Sequence, residues 1–395
     1  MNAGRDDRSA QRQRLRAIIA TTGLFGLFPL SLSPLMVAAG QAGGLSDLAA
    51  GSWVTSMLLG VATSAIGLGL ISNRLRLGHI LRLGTSAVVI IQLLLLVLSD
   101  IPLPLLCLLA FGSGLGSGCG IVVGDVLLAR ARNPMATAGI AMAITSTLML
   151  GVFPLGMTMV ADWGMATIAV LAIGSALMVL VMTAGLPFEQ LRSGEIAANP
   201  VRGSFAPAAY FLLLCLFFFW ARDGMVWSFA AIRAENVGFA PDSIGLILGL
   251  AGACGIVGSA ASAWIARGRS IAPDAVLAAT VLPAMAACAW ALADTRIAFG
   301  SLQLGYNALQ LFAYPLLIGL AAQMDGSGRL AAVAGGMTLL GAAAGPIIGG
   351  AVSAFAGSIG LASAVAASSL ASLLAIAIAV GWARLRLDQA MPKPD

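Results

Sequence analysis

Residues 187–206 read PFEQLRSGEIAANPVRGSFA, and this stretch decides how the chain is organised. It carries Glu189, Arg192, Glu195, Asn199, Pro200 and Arg202, and it is the one longer polar gap in a sequence otherwise made of apolar runs. Six runs precede it, at about 17–40, 50–72, 80–99, 101–124, 135–160 and 164–186. Six follow it, at about 207–231, 242–266, 272–293, 297–322, 330–355 and 358–383. Each is about 20 residues or longer, enough to cross the hydrocarbon core of a bilayer as a helix. None alternates with period two, so a strand barrel is not expected. In lipid each backbone group must be satisfied within its own segment, which makes these runs helices. The polar gap then reads as a linker that divides the spans six and six.

Composition agrees. Hydrophobic residues make up 59% of the 395 and charged residues 9%, against roughly 25% charge in a soluble chain. The chain is too apolar to cover a water-facing surface, and its length, taken up by spans, leaves no room for a separate soluble domain. The 21 basic residues sit in short gaps between runs instead of clustering as a nucleic-acid binder's would. With the N-terminus placed in the cytoplasm, 18 of the 21 fall on that side, Arg5, Arg74, Arg130, Arg192, Arg267, Arg329 and Lys393 among them. Only Arg233 and Arg296 fall outside, and Arg222 lies within a span. Retention of positive charge in the cytoplasm fits twelve spans with both termini there. Run one has a basic flank and small residues near Ala38–Gly40, parts that a leader also has. Its length and the charge count lead us to expect a retained span.

The five cysteines all lie inside apolar runs without metal-ligand spacing, and His79 is the one histidine. They read as small buried hydrophobes and a solvated loop residue. No metal or cofactor is expected.

Three local patterns bear on the layout. Gly341, Gly345, Pro346, Gly349 and Gly350 read as G-x-x-x-G-P-x-x-G-G in run eleven. Glycines at i, i+4 and i+8 make a smooth face for a neighbouring helix, and a proline removes one backbone bond and bends the helix. Run four holds Leu106, Gly114 and Gly116, and the gap after run two holds Asn73 and Arg74 between Gly69 and Gly78. With the six-plus-six layout, the chain resembles the major facilitator superfamily, in topology over nearly its whole length and in few residues of sequence. The resemblance implies an all-α membrane protein of twelve transmembrane helices in two pseudo-symmetric six-helix bundles, 1–186 and 207–395, joined by the linker 187–206.

The pattern at 341–350 is similar to the motif that antiporters of the family carry in helix five, the pseudo-symmetric partner of helix eleven. Run five itself keeps only Pro154 and Gly156. The gap after run two is similar to G-x-x-x-D-R-x-G-R-R, a cytoplasmic charge lock in the family, with Asn73 in place of the acid. Its arginines are expected either to meet Asp125 or only to hold orientation. Run four is similar to L-x-x-x-R-x-x-Q-G-x-G, with Ala110 and Ser113 in place of the arginine and glutamine. That arginine is tied to proton coupling in the family, so the usual route is missing here. The resemblance thus implies conformational or gating roles for Asn73, Arg74, Asp125, Gly341, Gly345, Pro346, Gly349 and Gly350. The glycines of 112–124 lie within a span with no lysine after them, so nucleotide binding is not expected.

The spans hold few strongly polar residues. An arginine at the bilayer centre costs about 2.5–3.5 kcal/mol, so it should face protein or water. Run seven contains Arg222 and Asp223 among Phe217, Phe218, Phe219, Trp220 and Trp227. Neighbours in sequence diverge by about 100° on a helix, so each should find its own partner or a substrate. Gln303, Asn307, Gln310 and Tyr314 form one stripe on run ten, flanked by Tyr306, with Pro315 just beyond. Lipid would not accept three amides, so the stripe should point inward. The resemblance places helices seven and ten beside a central cavity. A carboxylate among apolar groups takes up a proton more readily than one in water, which makes Asp223 the candidate proton carrier. Arg222 suits an anionic group on a substrate, with Trp227, Gln303, Tyr306, Asn307, Gln310 and Tyr314 around it. The alternative for Arg222 and Asp223 is a structural ion pair or a snorkel toward the outer surface, and for the run-ten stripe it is interhelical hydrogen bonding.

The expected function is secondary transport of a small organic solute across the cytoplasmic membrane by alternating access. We expect proton coupling, a monomer, and export in preference to import of a small aromatic or carboxylated nutrient. A membrane enzyme would need a convergent catalytic set, which one histidine and few intramembrane acids do not supply. A non-transporting receptor or assembly protein would not need the polar stripe.

Overall fold

The apolar runs fold as expected, and among the described residues every regular element is a helix. The computed structural model describes residues 12–13, 15–71, 76–98, 101–129, 134–186, 205–266, 272–325 and 329–390. Span α1 is a bent pair, Leu15–Ser31 with Ser33–Ala42. It is followed by α2 (Asp47–Ile71), α3 (Leu77–Val97), α4 (Leu103–Ala129), α5 (Pro134–Trp163) and α6 (Ala166–Thr183). Then come α7 (Pro207–Ser228), extended by the short helix Ala230–Asn236, α8 (Pro241–Ile265), α9 (Pro273–Leu292) and α10 (Arg296–Met324). The last helix, Arg329–Ala390, is interrupted at Ala356 and Gly357, giving α11 (329–355) and α12 (358–390).

That interruption completes the count of twelve. The apolar part of the last helix, Arg329–Trp382, has 54 residues, roughly 80 Å if straight against a core of about 30 Å. Gly341 lies against the backbone of Phe217, and the Ser372 hydroxyl donates to the Cys215 carbonyl at 3.3 Å. In a straight helix Gly341 and Ser372 would be about 45 Å apart, yet both meet the same part of α7, so the chain reverses between them. Gly357 makes the reversal with φ 56° and ψ −143°, a conformation closed to residues with a Cβ. Gly357→Ala is therefore expected to cost about 1–3 kcal/mol, read as a lowered thermal midpoint of the purified protein.

Span α1 departs from a plain helix. Ile19–Leu27 is π-helical, and the span bends by 43° between Ser31 and Ser33. Pro29 and Pro34 each remove a backbone bond, and the Ser31 hydroxyl donates to the Leu27 carbonyl at 2.9 Å, a back-bond that favours bending.

The chain divides into two units, 1–198 with 241–249, and 199–240 with 250–395. In the first, the α4 glycines are contact points. Gly116 faces the Gly84 carbonyl of α3, and Gly120 faces Phe25 and the Thr21 carbonyl of α1. The run that superficially resembles a phosphate loop thus serves helix packing. Gln92 of α3 donates to the Ser113 hydroxyl of α4 at 2.9 Å. In the second unit, Leu212, Leu216 and Phe219 of α7 pack with Leu316 and Leu320 of α10 and Ile376 and Val380 of α12. Buried Cys215 meets the Ser372 hydroxyl at 3.4 Å.

Candidate substrate site on α7 and α10

Two features seat α7 in the second unit. The first is the glycine face of α11. A Cβ on Gly345 would come within 2.5 Å of the Ala221 carbonyl oxygen and 2.6 Å of the Gly224 Cα. Gly349 lies against Phe229 and Met225. The second is Pro346, which leaves the Ala342 carbonyl without its helical donor. That carbonyl faces Gly224, where a Cβ would be 2.6 Å away. The α11 motif therefore holds against α7, the helix that carries Arg222.

Helix α10 is positioned by its own interruption. Thr295 caps it, accepting from the Ala298 amide at 3.3 Å. Pro315 deprives the Leu311 carbonyl of its donor, and the Ser259 hydroxyl of α8 supplies a replacement at 3.2 Å. A freed carbonyl in a membrane helix is tolerated when a neighbouring side chain re-satisfies it in this way.

Between these helices the polar residues meet. Arg222 is 0% exposed. Its Nη2 donates to Gln310 Oε1 at 2.6 Å, and Gln310 Nε2 donates to the Phe219 carbonyl at 3.4 Å. The guanidinium carbon lies 4.8 Å from the Phe219 ring centre and 5.9 Å from that of Tyr306, a cation–π arrangement. Arg222 Nε and Nη1 are buried with no protein partner. The Tyr306 hydroxyl donates to Asp223 Oδ1 at 2.9 Å. Arg222 thus bonds Gln310 and Asp223 bonds Tyr306 on α10, with Tyr306 close enough to interact with both charged groups.

The other expected residues divide. Gln303 is fully buried with both amide atoms unpartnered. Asn307 is buried but turns its Nδ2 to the Gln303 carbonyl of its own helix at 3.0 Å. Tyr314 packs edge-on to Trp220 with ring centres 5.1 Å apart. Trp227 is half-buried, about 140° around α7 from Arg222. Asn73 and Arg74 lie outside the described residues. Asp125 is exposed and forms no ion pair with Arg76 or Arg82 among the described residues. Phe219, which gives both its ring and its carbonyl to the site, was not singled out by sequence, because a phenylalanine among four aromatics carries no distinguishing signal.

Removing the phenol oxygen tests the Asp223 contact. Tyr306→Phe is expected to destabilise the protein by about 1.5–3 kcal/mol, the worth of a hydrogen bond to a charged group, measured as a lowered thermal midpoint of the purified protein.

The Arg222 guanidinium gives its one hydrogen bond to a neutral amide, with the Asp223 carboxyl close enough to interact with it electrostatically. Buried charges are ordinarily paired, and here two guanidinium nitrogens and a whole amide remain available. Solved structures supply the context. A bacterial homologue of the human drug peptide transporters PepT1 and PepT2 matches with a TM-score of 0.72 at 14% identity, over 96% of this chain and 100% of that one. The chain has the major facilitator fold. The nucleoside transporter NupG matches with a TM-score of 0.67 at 12% identity, over 93% and 99% of the two chains. A bacterial homologue of the human lysosomal transporter Spinster, inward-facing and unoccupied, matches at 0.65 and 14%, over 97% and 99%. No family model matches the sequence, and no curated protein matches it.

Proposed function

We propose that this chain is a secondary transporter that moves a small organic solute by alternating access, with Asp223 carrying the coupling proton. The observation that carries the reading is fully buried Arg222, hydrogen-bonded to neutral Gln310 and leaving two guanidinium nitrogens unpartnered. An anionic group on the solute would bond the two unpartnered guanidinium nitrogens, and the unpartnered amide of Gln303, two turns along α10 from Gln310, would offer a further donor and acceptor. Asp223, hydrogen-bonded to Tyr306, lies next to Arg222 in sequence, so protonation of one and occupancy of the other act on a single turn of α7. The neighbouring folds are those of transporters, which supports transport over catalysis.

We read the chain as a monomer of the cytoplasmic membrane with both termini inside; the arginine distribution supports the placement of the termini. Export is the direction we favour, from the resemblance of 341–350 to an antiporter motif. Import of a small aromatic or carboxylated nutrient is the second reading, favoured by the placement of Arg222 beside the rings of Phe219 and Tyr306. The test is purified protein in liposomes under an imposed proton gradient, screened against carboxylated and neutral organic solutes. Gradient-driven movement of at least one solute above protein-free liposomes is expected, and its absence across the screen would count against the reading.

A further inference from the structure

A cavity of about 540 Å³ opens where the extension of α7 meets the end of α9 and the start of α12. All its lining residues belong to the second unit, and none belongs to the α7–α10 site. Its volume is within the usual range for a ligand cleft, about 300–1,000 Å³. At its head is half-buried Arg233. Arg233 Nη2 donates to the Ala291 and Ala293 carbonyls at 3.1 and 2.8 Å, and its Nε is buried without a partner. Those carbonyls end α9, where a cation is favoured, but they hold only one nitrogen of the fork. Burial draws the guanidinium below its ordinary pKa, as expected where lost water is not replaced by a counter-charge. Asp294 sits at the exposed rim and forms no ion pair with Arg233 among the described residues.

The walls are of another kind. Leu292 of α9 and Ile359 of α12 are 74% and 77% exposed, and both line the cleft. In a chain that crosses a bilayer, apolar residues this exposed meet acyl chains. Ser358 and Ser363 add hydroxyls along the α12 wall. A cation at the head, hydroxyls beside it and open apolar walls match one class of molecule from end to end.

We propose that this cleft binds a phospholipid, with its phosphate on Arg233 and an acyl chain along Leu292 and Ile359. Arginine holds phosphate through several charge-assisted N–H donors. A free phosphate would use the head of the cleft and leave the walls unfilled.

The test is native mass spectrometry of delipidated protein titrated with dioleoylphosphatidylglycerol. Dioleoylglycerol, which has the same chains without phosphate, and inorganic phosphate are the comparisons. Wild type is expected to bind the phospholipid at least roughly tenfold more tightly than dioleoylglycerol, and millimolar inorganic phosphate should not displace it. Ala362→Phe, which fills the cleft without touching Arg233, should weaken binding about tenfold or more. Ser363→Trp carries the same test should Ala362→Phe fail to fold. Arg233→Gln should lose the preference for the phosphate-bearing lipid, and Arg233→Lys should keep most of it. Unchanged binding in the folded filled-cleft variant, equal binding of dioleoylglycerol, or displacement by inorganic phosphate would each overturn the proposal.

Discussion

Gly345→Val is expected to destabilise the protein by about 3 kcal/mol or more, near the upper end of what overpacking costs. The atoms nearest an added Cβ are the Ala221 carbonyl oxygen and the backbone of Gly224. Backbone within a packed helix cannot rotate aside as a side-chain tip can, so α11 would have to withdraw from α7 along its length. Membrane helices gain no hydrophobic drive from lipid, and their association rests on such close approach. Gly335→Val is the control. It lies on the same helix with no atom within 4 Å of an added Cβ, so it carries the propensity change without the collision. Thermal unfolding of the two variants in detergent should separate them by several degrees. Equal midpoints would mean that α11 does not depend on contact at Gly345.

Arg222→Met is expected to reduce transport by at least about 30-fold while leaving the thermal midpoint close to wild type. The two halves of this expectation have different causes. Arg222 has a neutral amide as its hydrogen-bond partner, so replacing it by an apolar side chain removes a large desolvation cost against one strong hydrogen bond and the attraction of Asp223. Gln310 loses that donor but keeps its bond to the Phe219 carbonyl. Folding should therefore change little. A substrate anion seated on the guanidinium would lose about 2–5 kcal/mol, the usual cost of truncating one partner of a buried charge pair. Rates in liposomes and thermal midpoints, measured on the same preparations, read the two effects separately. A large loss of stability with transport preserved in the folded fraction would make Arg222 a structural residue.

Lipid imposes a simple rule on sequence, and that is why the fold was so legible. Each span had to be a long apolar run, and the observed helices begin and end within a few residues of the runs. Even the hairpin at Ala356–Gly357 appears in sequence as the gap between 355 and 358. The bend of α1 was not legible, because it arises from packing around Pro29, Ser31 and Pro34. The α10 stripe was correctly read as buried, since three amides have nowhere else to go. Its partners were another matter. Tyr306 lies about 60° from the stripe and read as a flank, yet it is the residue that bonds Asp223. Asn307 lies on the stripe but bonds its own helix. Ser259 repairs the break at Pro315 across 52 residues, and no local pattern encodes such a contact. Arg233 read only as an outer charge, because the cleft it heads is assembled from three separate helices.

The most direct test of the central claim, that α7 carries the coupling proton, is transport by Asp223→Asn in liposomes. Asparagine keeps the shape and can still accept from Tyr306, but it cannot release a proton. For a solute that wild type moves against its gradient, the account predicts that Asp223→Asn loses accumulation driven by an imposed proton gradient while still exchanging labelled for unlabelled solute. Gradient-driven accumulation by Asp223→Asn at the wild-type rate would contradict it.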